Sequence, residues 1–311
     1  DPTTLVTWQG LRDCVTAELL NPPGRLDVVP PWPYRPSVFQ PMVYGYGQRA
    51  DAMRLDQRTV TALIAATPHL PVPPEPGAIL FCRDGWRRPW RAQIAAWPGP
   101  YVLVSQFHDP MISQRAADEL LQGPAIAAWF GVQVDAEHHK LHPMPLGVDR
   151  RMVGALLLAD PRPATQRDLM LYANFQPRND ERRALLAKVR SWATVGDWTP
   201  ATPTAYVDAL CRAKFVLSPP GLAWDCYRTY EAIACGAIPI VRRQDPASEV
   251  VEDLPVLVVE DWSEVTPRRL EAEWRDRDRD PDLSRLTLRS WVEQIKHVAA
   301  ACRAVEAVEV A

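Results

Sequence analysis

The sequence predicts an α/β protein made of two doubly wound domains that face a central cleft. The chain has 311 residues, enough for about two domains of ~150 residues each. Short apolar runs of strand length alternate with helical segments along both halves, which is typical of parallel βαβ units. A segment rich in Ala, Pro, Asp and Arg, from Ala155 to Arg167, separates the halves. Ligands bind outside the carboxyl ends of such strands, so the cleft is the default active site.

The N-terminal half is predicted to form one domain over residues 1–160. Its candidate strands are the apolar runs 78–82, 101–105 and 125–130. Residues 111–121, between the last two runs, have helical character. A helix between two strands of this kind predicts a parallel crossover.

The C-terminal half is predicted to form a domain over residues 161–282. It begins with a buried strand at 169–173, and Asn179 is placed to cap the helix that follows and ends at Trp192. The later elements are predicted as a helix at 204–212, a strand at 214–217, a helix at 226–235, strands at 237–241 and 254–259, a helix from about 262, and a long amphipathic helix at 283–308. Pro239 lacks an N–H, which predicts that its strand is an edge or carries a bulge.

Composition excludes some functions. The net charge of −3 argues against bulk binding to nucleic acid, which favours basic surfaces. No stretch approaches the ~20 apolar residues of a membrane-spanning helix. The six cysteines form no CxxC pair, so buried reduced thiols are preferred to disulfides or a zinc site. Reduced thiols favour a cytoplasmic location, peripheral to a membrane or not, with the Golgi lumen as the alternative if an N-terminal anchor was removed.

The stretch from Phe215 to Ile240 is the most informative part of the sequence. It predicts a strand, a glycine loop at Gly221, a helix, a second glycine and another strand. Asp225 suits the helix N-cap, and the N-terminus of that helix offers N–H groups and a positive dipole end to an anion. Arg228 falls in the first turn, where a guanidinium can clamp a phosphate. Glu231 shares its face and can accept the hydroxyl hydrogens of a ribose.

A structural explanation of the same residues is a helical Arg228–Glu231 pair beside an ordinary turn. The wider order favours function: Pro-Gly, then Asp-Cys-Tyr-Arg-Thr-Tyr-Glu-Ala, then Gly-Ala-Ile-Pro-Ile. This order resembles the donor-site signature of exostosin-like inverting glycosyltransferases. The likeness continues into 254–265 and 171–183 and, more loosely, into 101–105 and 140–147. It covers roughly Ile79 to Trp291 and is strong in the second half.

The resemblance implies a GT-B fold, with two Rossmann-like domains and a final helix in 283–311 packed back toward the N-terminal domain. The C-terminal domain would hold a nucleoside diphosphate sugar as co-substrate, with Arg228 at the diphosphate and Glu231 at the ribose. No metal or other cofactor is expected, because cations and a helix N-terminus can stabilise the leaving diphosphate. Arg183 is the alternative to Arg182. The implied donor-binding residues are Asn174, Arg178, Arg182, Arg183, Ser218, Pro220, Gly221, Trp224, Asp225, Arg228, Thr229 and Glu231.

An inverting transfer needs a general base beside the acceptor hydroxyl. The base should be a carboxylate or histidine on a loop that follows a strand of the N-terminal domain. Asp109 is the preferred candidate and His108 the second, because both follow the strand at 101–105. Asp84, after the first strand, also fits. A role as a loop cap or turn residue explains each of them about equally well.

Other readings of the sequence stay open. His138, His139 and His142 lie close together, but their spacing matches no zinc pattern, so solvated or hydrogen-bonded histidines are preferred. A non-catalytic sugar- or nucleotide-binding scaffold and a retaining transferase are the alternatives to an inverting enzyme. The expected partners are a nucleotide-sugar donor and a glycan or other hydroxyl acceptor, with no nucleic acid and no membrane span.

Overall fold

A computed structural model describes most of the chain beyond residue 75. The described residues are 76–82, 94, 96–105, 111–149, 152, 155–156, 158–197, 203–221, 223–243, 250–277, 281, 283, 286 and 288–309. They divide into two compact units, one over 145–290 and the other over 76–144 together with 291–309. The predicted α/β class is confirmed, because both units contain sheets of parallel strands. The domain limits predicted from the sequence stay predictions.

The N-terminal unit contains a four-stranded parallel sheet of order β1-β2-β4-β6 and a small parallel pair, β3-β5. Ser113 caps helix α1 by accepting from the Ala116 N–H, and α1 buries its apolar face in the core of this unit. The elements are β1 Ile79–Cys82, β2 Tyr101–Ser105, β3 Ile112–Ser113, α1 Gln114–Leu121, β4 Ile126–Gly131, β5 Val134–Asp135 and β6 Leu141–Pro143.

The C-terminal unit contains a five-stranded sheet in which every neighbouring pair is parallel. Its elements are β7 Leu169–Ala173, α2 Asp180–Val189, β8 Thr194–Val195, α3 Pro203–Arg212, β9 Ala213–Leu217, α4 Tyr227–Ala234, β10 Ile238–Arg242, β11 Leu257–Val259 and α5 Pro267–Asp276, with short 3-10 turns at Ala164–Gln166 and Trp262–Glu264. The last helix, α6 Leu288–Glu309, starts at the end of this unit and continues in the other.

Strand composition explains why the central strands lie inside. The last three residues of β7 and four of the five residues of β9 are buried, as expected for parallel strands covered on both faces. Their side chains join those of α2 and β10 in one apolar core. No helix in the described part of the chain is both long enough and apolar enough to cross a bilayer.

The strand order of this sheet indicates where a ligand would be expected to bind. The order is β11-β10-β9-β7-β8, so the second strand lies outside the first and the third lies on the other side of it. Doubly wound sheets of this order bind ligands where the direction of winding reverses, outside the carboxyl ends of the first and third strands. Here that place lies between the ends of β7 and β9.

Three sequence expectations need correction. Pro239 is in neither an edge strand nor a bulge, since β10 pairs continuously with β9 and also with β11. The Ser218 N–H bonds the Ile240 carbonyl, so Ile240 faces β9 and Pro239 faces the opposite side, where pairing with β11 starts only at Ile240. Of the predicted strand at 254–259 only 257–259 forms, and the helix predicted from about 262 begins as a 3-10 turn.

Candidate functional site

Arg228 lies at the point where the winding reverses. It is in the first turn of α4 and partly buried. Its Nε donates to the Asn174 carbonyl at 3.0 Å, and its Nη1 approaches the Pro219 carbonyl at 3.5 Å. Asn174 follows β7 and Pro219 follows β9, so this single side chain joins the two strand ends.

Arg182 contacts the same loop from helix α2. Asn179 caps α2 by accepting from the Arg182 N–H, as predicted, and this sets Arg182 in the first turn. The buried guanidinium donates to the carbonyls of Pro220 at 2.7 Å, Pro219 at 3.1 Å and Gln176 at 3.1 Å. Burial lowers the pKa of Arg182, and the neighbouring charge of Arg228 lowers it further.

The two guanidinium groups share one aromatic ring and no carboxylate. The Cζ atoms of Arg182 and Arg228 each lie 5.4 Å from the centroid of the Phe175 ring. Among the described residues no Asp or Glu oxygen forms an ion pair with either arginine. Two positive charges, one from α2 and one from α4, therefore lie against the loop that follows β9. Their hydrogen-bond partners in the protein are backbone carbonyls, and such a place attracts an anion.

The start of α4 adds to this positive field. The helix has no acidic residue in its first turn, and its N-cap, Cys226, makes no side-chain cap bond. The expectation that Asp225 is the N-cap is wrong by one residue, since the helix starts at Tyr227 and the Asp225 carboxylate accepts from the Cys226 N–H instead. The dipole end of α4 is thus not neutralised by a first-turn acid.

Asp225 fastens the site to the rest of its unit. Its side chain is buried and accepts from the Leu146 N–H at 2.8 Å and from the Tyr230 hydroxyl at 2.6 Å. Burial raises its pKa to about 6, although all three hydrogen bonds favour the charged form. Asp225 therefore ties α4 to the segment that precedes β7, and its described contacts are with protein groups.

Glu231 is also buried, one turn beyond Arg228. The Tyr206 hydroxyl donates to its Oε2 at 2.9 Å, and the Asp149 N–H donates to its Oε1 at 3.3 Å. Burial raises its pKa to about 7, so near neutral pH the group is partly protonated. Each carboxylate oxygen has two lone-pair directions, and these bonds use one on each. The carboxylate therefore has further lone-pair directions when it is ionised.

The remaining predicted donor residues differ in their surroundings. The hydroxyls of Ser218 and Thr229 bond each other at 2.8 Å, both buried, and fix α4 to the end of β9. The Gly221 N–H bonds the Ala223 carbonyl, and a Cβ on Gly221 would meet only ordinary contacts, so this loop does not need a glycine for steric reasons. The indole Nε1 of Trp224 is buried and makes no hydrogen bond within the described part of the chain.

Three further predicted donor residues follow β7 in the chain. The Asn174 amide donates to the Tyr172 hydroxyl at 2.9 Å, which fixes its side chain. Arg178 is exposed and bonds the Gln176 side chain. Arg183 is exposed and bonds the Pro177 carbonyl and the Asp180 carboxylate. Of the neighbouring pair, Arg182 is therefore the one that reaches the β9 loop.

The predicted catalytic residues lie outside the described residues. The structure does not describe residues 83–93 or 106–110, and these ranges contain Asp84, His108 and Asp109. Within the described part, no cluster of three or more metal-ligating side chains occurs. His138 accepts from the Lys140 N–H and stacks on His139, as expected for a hydrogen-bonded histidine. Four cysteines, Cys211, Cys226, Cys235 and Cys302, are free thiols.

Sequence reasoning missed two aromatic residues of this site. The ring of Phe175 contacts the guanidinium groups of Arg182 and Arg228. The hydroxyl of Tyr206, on α3, donates a hydrogen bond to Glu231. Phe175 follows the end of a predicted strand by two residues, which was an available signal. Nothing local distinguishes Tyr206, because its contact depends on how α3 lies beside α4.

One comparison with known proteins bears on this arrangement. Residues 164–307, somewhat less than half of the chain, match the family model described as RXYLT1 C-terminal domain. The matched range contains the complete sheet of the C-terminal unit and all the predicted donor residues. The match supports a glycosyltransferase family of exostosin-like type. A search of the curated proteins gives no significant match.

Proposed function

We propose that this protein is an inverting glycosyltransferase of GT-B type that transfers a sugar from a nucleoside diphosphate to a hydroxyl acceptor. The observation that carries the proposal is the convergence of Arg182 and Arg228, neither of them ion-paired with a carboxylate among the described residues, at the reversal point of the sheet. Two adjacent positive charges match the two phosphates of a diphosphate. The family match over 164–307 independently supports glycosyl transfer.

Each part of the donor has a proposed partner. The diphosphate would lie against Arg228, Arg182 and the start of α4, where charge-assisted bonds and the helix dipole favour an anion. The ribose would donate to Glu231 through the free lone pairs of its carboxylate. The xylosyltransferase association of the matched family makes xylose the first donor sugar to test.

The proposed reaction is a direct displacement. The acceptor oxygen forms a bond to the anomeric carbon while the bond from that carbon to the diphosphate oxygen breaks. A base, with Asp109 proposed first and His108 second, takes the proton of the acceptor hydroxyl. The leaving diphosphate takes the electron pair, and the guanidinium groups stabilise its added negative charge. In this proposal the two guanidinium groups stabilise the departing diphosphate, and no metal ion is needed for that step.

A thermal-shift panel of UDP-, GDP-, CMP- and dTDP-sugars, with UDP-xylose included, tests the donor site. A ligand at about 100 times its Kd should add roughly 2.7 kcal/mol to the free energy of unfolding. Arg228→Met is the control, and it should abolish the shift while the protein stays folded, because Met fills similar volume without the charge. No shift with any donor in the wild type would refute the proposal.

Turnover separates the remaining possibilities. An inverting enzyme yields a product of opposite anomeric configuration to the donor, and proton NMR reads this directly. Donor binding without transfer to any acceptor hydroxyl would indicate a scaffold, and a product with retained configuration would indicate a retaining transferase.

A further inference from the structure

The ring of Phe175 lies close to two cations. It is 4% exposed and belongs to the apolar core of the C-terminal unit, so its ring is held in place. The guanidinium carbons of Arg182 and Arg228 both lie 5.4 Å from its centroid. At that distance each cation is attracted to the electron-rich face of the ring.

The two arginines do not depend on this ring equally. Arg182 donates to three carbonyls at 2.7 to 3.1 Å and is buried. Arg228 has one good carbonyl bond at 3.0 Å and a second contact at 3.5 Å. Like charges repel, and in this neighbourhood Arg182 has the stronger backbone anchors. Arg228 is therefore the group that would move if the ring were absent.

We propose that Phe175 is a positioning residue that holds Arg182 and Arg228 side by side, so that the site prefers two linked phosphates to one. The inference rests on the proposed function, since it concerns the same anion site. A single phosphate needs only one guanidinium, which Arg182 supplies without the ring. A diphosphate needs both guanidinium groups at a fixed separation. The two carbonyls that Arg228 contacts hold its guanidinium only weakly, so the aromatic face supplies the additional restraint on its position.

Titration calorimetry of the full chain with inorganic pyrophosphate and with orthophosphate tests this role without assuming a nucleotide. The wild type should prefer pyrophosphate. Phe175→Leu keeps apolar volume but removes the ring, and it should lose about tenfold in pyrophosphate affinity, as expected for a desolvated cation–π contact, with little change for orthophosphate. Phe175→Tyr keeps the ring and should retain the preference.

Phe215→Leu is the matched control. Phe215 is fully buried in the same core, within β9, and its ring packs against Trp274 with centroids 5.9 Å apart. This variant loses a similar core ring without touching either arginine, so it should keep the wild-type ratio of affinities. A loss of the ratio in Phe215→Leu equal to that in Phe175→Leu would overturn the inference, because the effect would then come from core packing.

The outcomes separate this inference from the proposed function. A wild type that prefers pyrophosphate, together with a Phe175→Leu variant of unchanged preference, overturns the role of Phe175 and leaves the donor site intact. A wild type that binds neither anion overturns both. If Phe175→Leu does not fold, the Nε–H resonances of Arg182 and Arg228 in the wild type decide. Ring-current shifts that Phe175→Tyr retains support the inference, and resonances at ordinary positions refute it.

Discussion

Arg167 and Arg182 are two buried arginines at opposite ends of one sheet. Both are 6% exposed, both donate to three backbone carbonyls, and burial lowers the pKa of each. Arg167 lies before β7, at the amino ends of the strands, and Arg182 lies at the carboxyl ends. Burial and hydrogen bonding alone therefore do not distinguish Arg167 from Arg182, for which we propose a role in ligand binding.

The difference lies in what surrounds each charge. Arg167 donates to the carbonyls of Leu210 in the last turn of α3, of Ala213 directly after that helix and of Cys235 directly after α4, where the helix dipole is negative. Each arginine has a second guanidinium nearby, Arg277 for Arg167 and Arg228 for Arg182, but Arg182 donates to loop carbonyls and not to the ends of helices. At the amino end of the sheet the dipoles of the helix ends offset the charge of Arg167, whereas at the carboxyl end the carbonyls that Arg182 contacts belong to loops.

The largest expected effects come from replacing each of these two arginines by methionine. Arg167→Met and Arg182→Met should each lower the free energy of unfolding by about 3 kcal/mol, because both leave buried carbonyls without donors. Only Arg182→Met should also weaken binding of the donor nucleotide. Denaturant unfolding measures the first effect, and calorimetry on the folded fraction measures the second.

The contrast fails if Arg167→Met weakens nucleotide binding as much as Arg182→Met does. A positive φ of 71° at Gly236 places its backbone against Arg167, where a Cβ would lie 2.7 Å from Nη2. Gly236→Ala is therefore a second way to disturb the amino end alone. It should destabilise the fold and leave binding unchanged.

Glu231 gives a smaller, pH-dependent effect at the end of the sheet where we propose that the donor binds. Its pKa is about 7 in the folded protein against an ordinary value of 4.5, so the folded state holds the proton more tightly. Its contribution to stability is fully present below about pH 4.5 and is lost as the pH rises through about 7. Between these values stability should fall by up to about 1.4 kcal/mol per pH unit.

Glu231→Gln should remove that slope, because an amide does not titrate. Asp225, with a pKa of about 6 and the same sign, contributes a slope that ends nearer pH 6 in both proteins. The difference between wild type and variant is therefore clearest from pH 6 to 7.5. Chemical unfolding at a series of pH values measures it, and parallel curves for the two proteins over that interval would contradict the buried, protonated state of Glu231.

Local sequence order predicted the helix of the proposed donor site but not the residues that contact it. The strand, loop and helix from Phe215 to Ile240 form one contiguous run whose residue types carry the chemistry, and the structure has these elements in that order. Glu231 bonds a backbone N–H 82 residues away, which no local pattern indicates. The prediction that the strand of Pro239 is an edge or carries a bulge was wrong for a related reason. Whether the missing N–H of Pro239 disturbs the sheet depends on where pairing with β11 begins. The prediction that Asp225 is the N-cap was wrong because the helix starts one residue later than expected.

Arg183 offers the smallest effect and the sharpest test of which neighbouring arginine serves the site. The sequence left Arg182 and Arg183 as alternatives because both lie in the first turns of one helix. Arg183 is exposed, and its described partners, Pro177 and Asp180, are local. Arg183→Met should change the free energy of unfolding by no more than about 0.5 kcal/mol, as is usual for surface positions. Its nucleotide affinity should match that of the wild type, whereas Arg182→Met should lose affinity. The reverse result would mean that α2 presents its other face to the ligand, and the pairing of Arg182 with Arg228 over Phe175 would no longer explain the anion site.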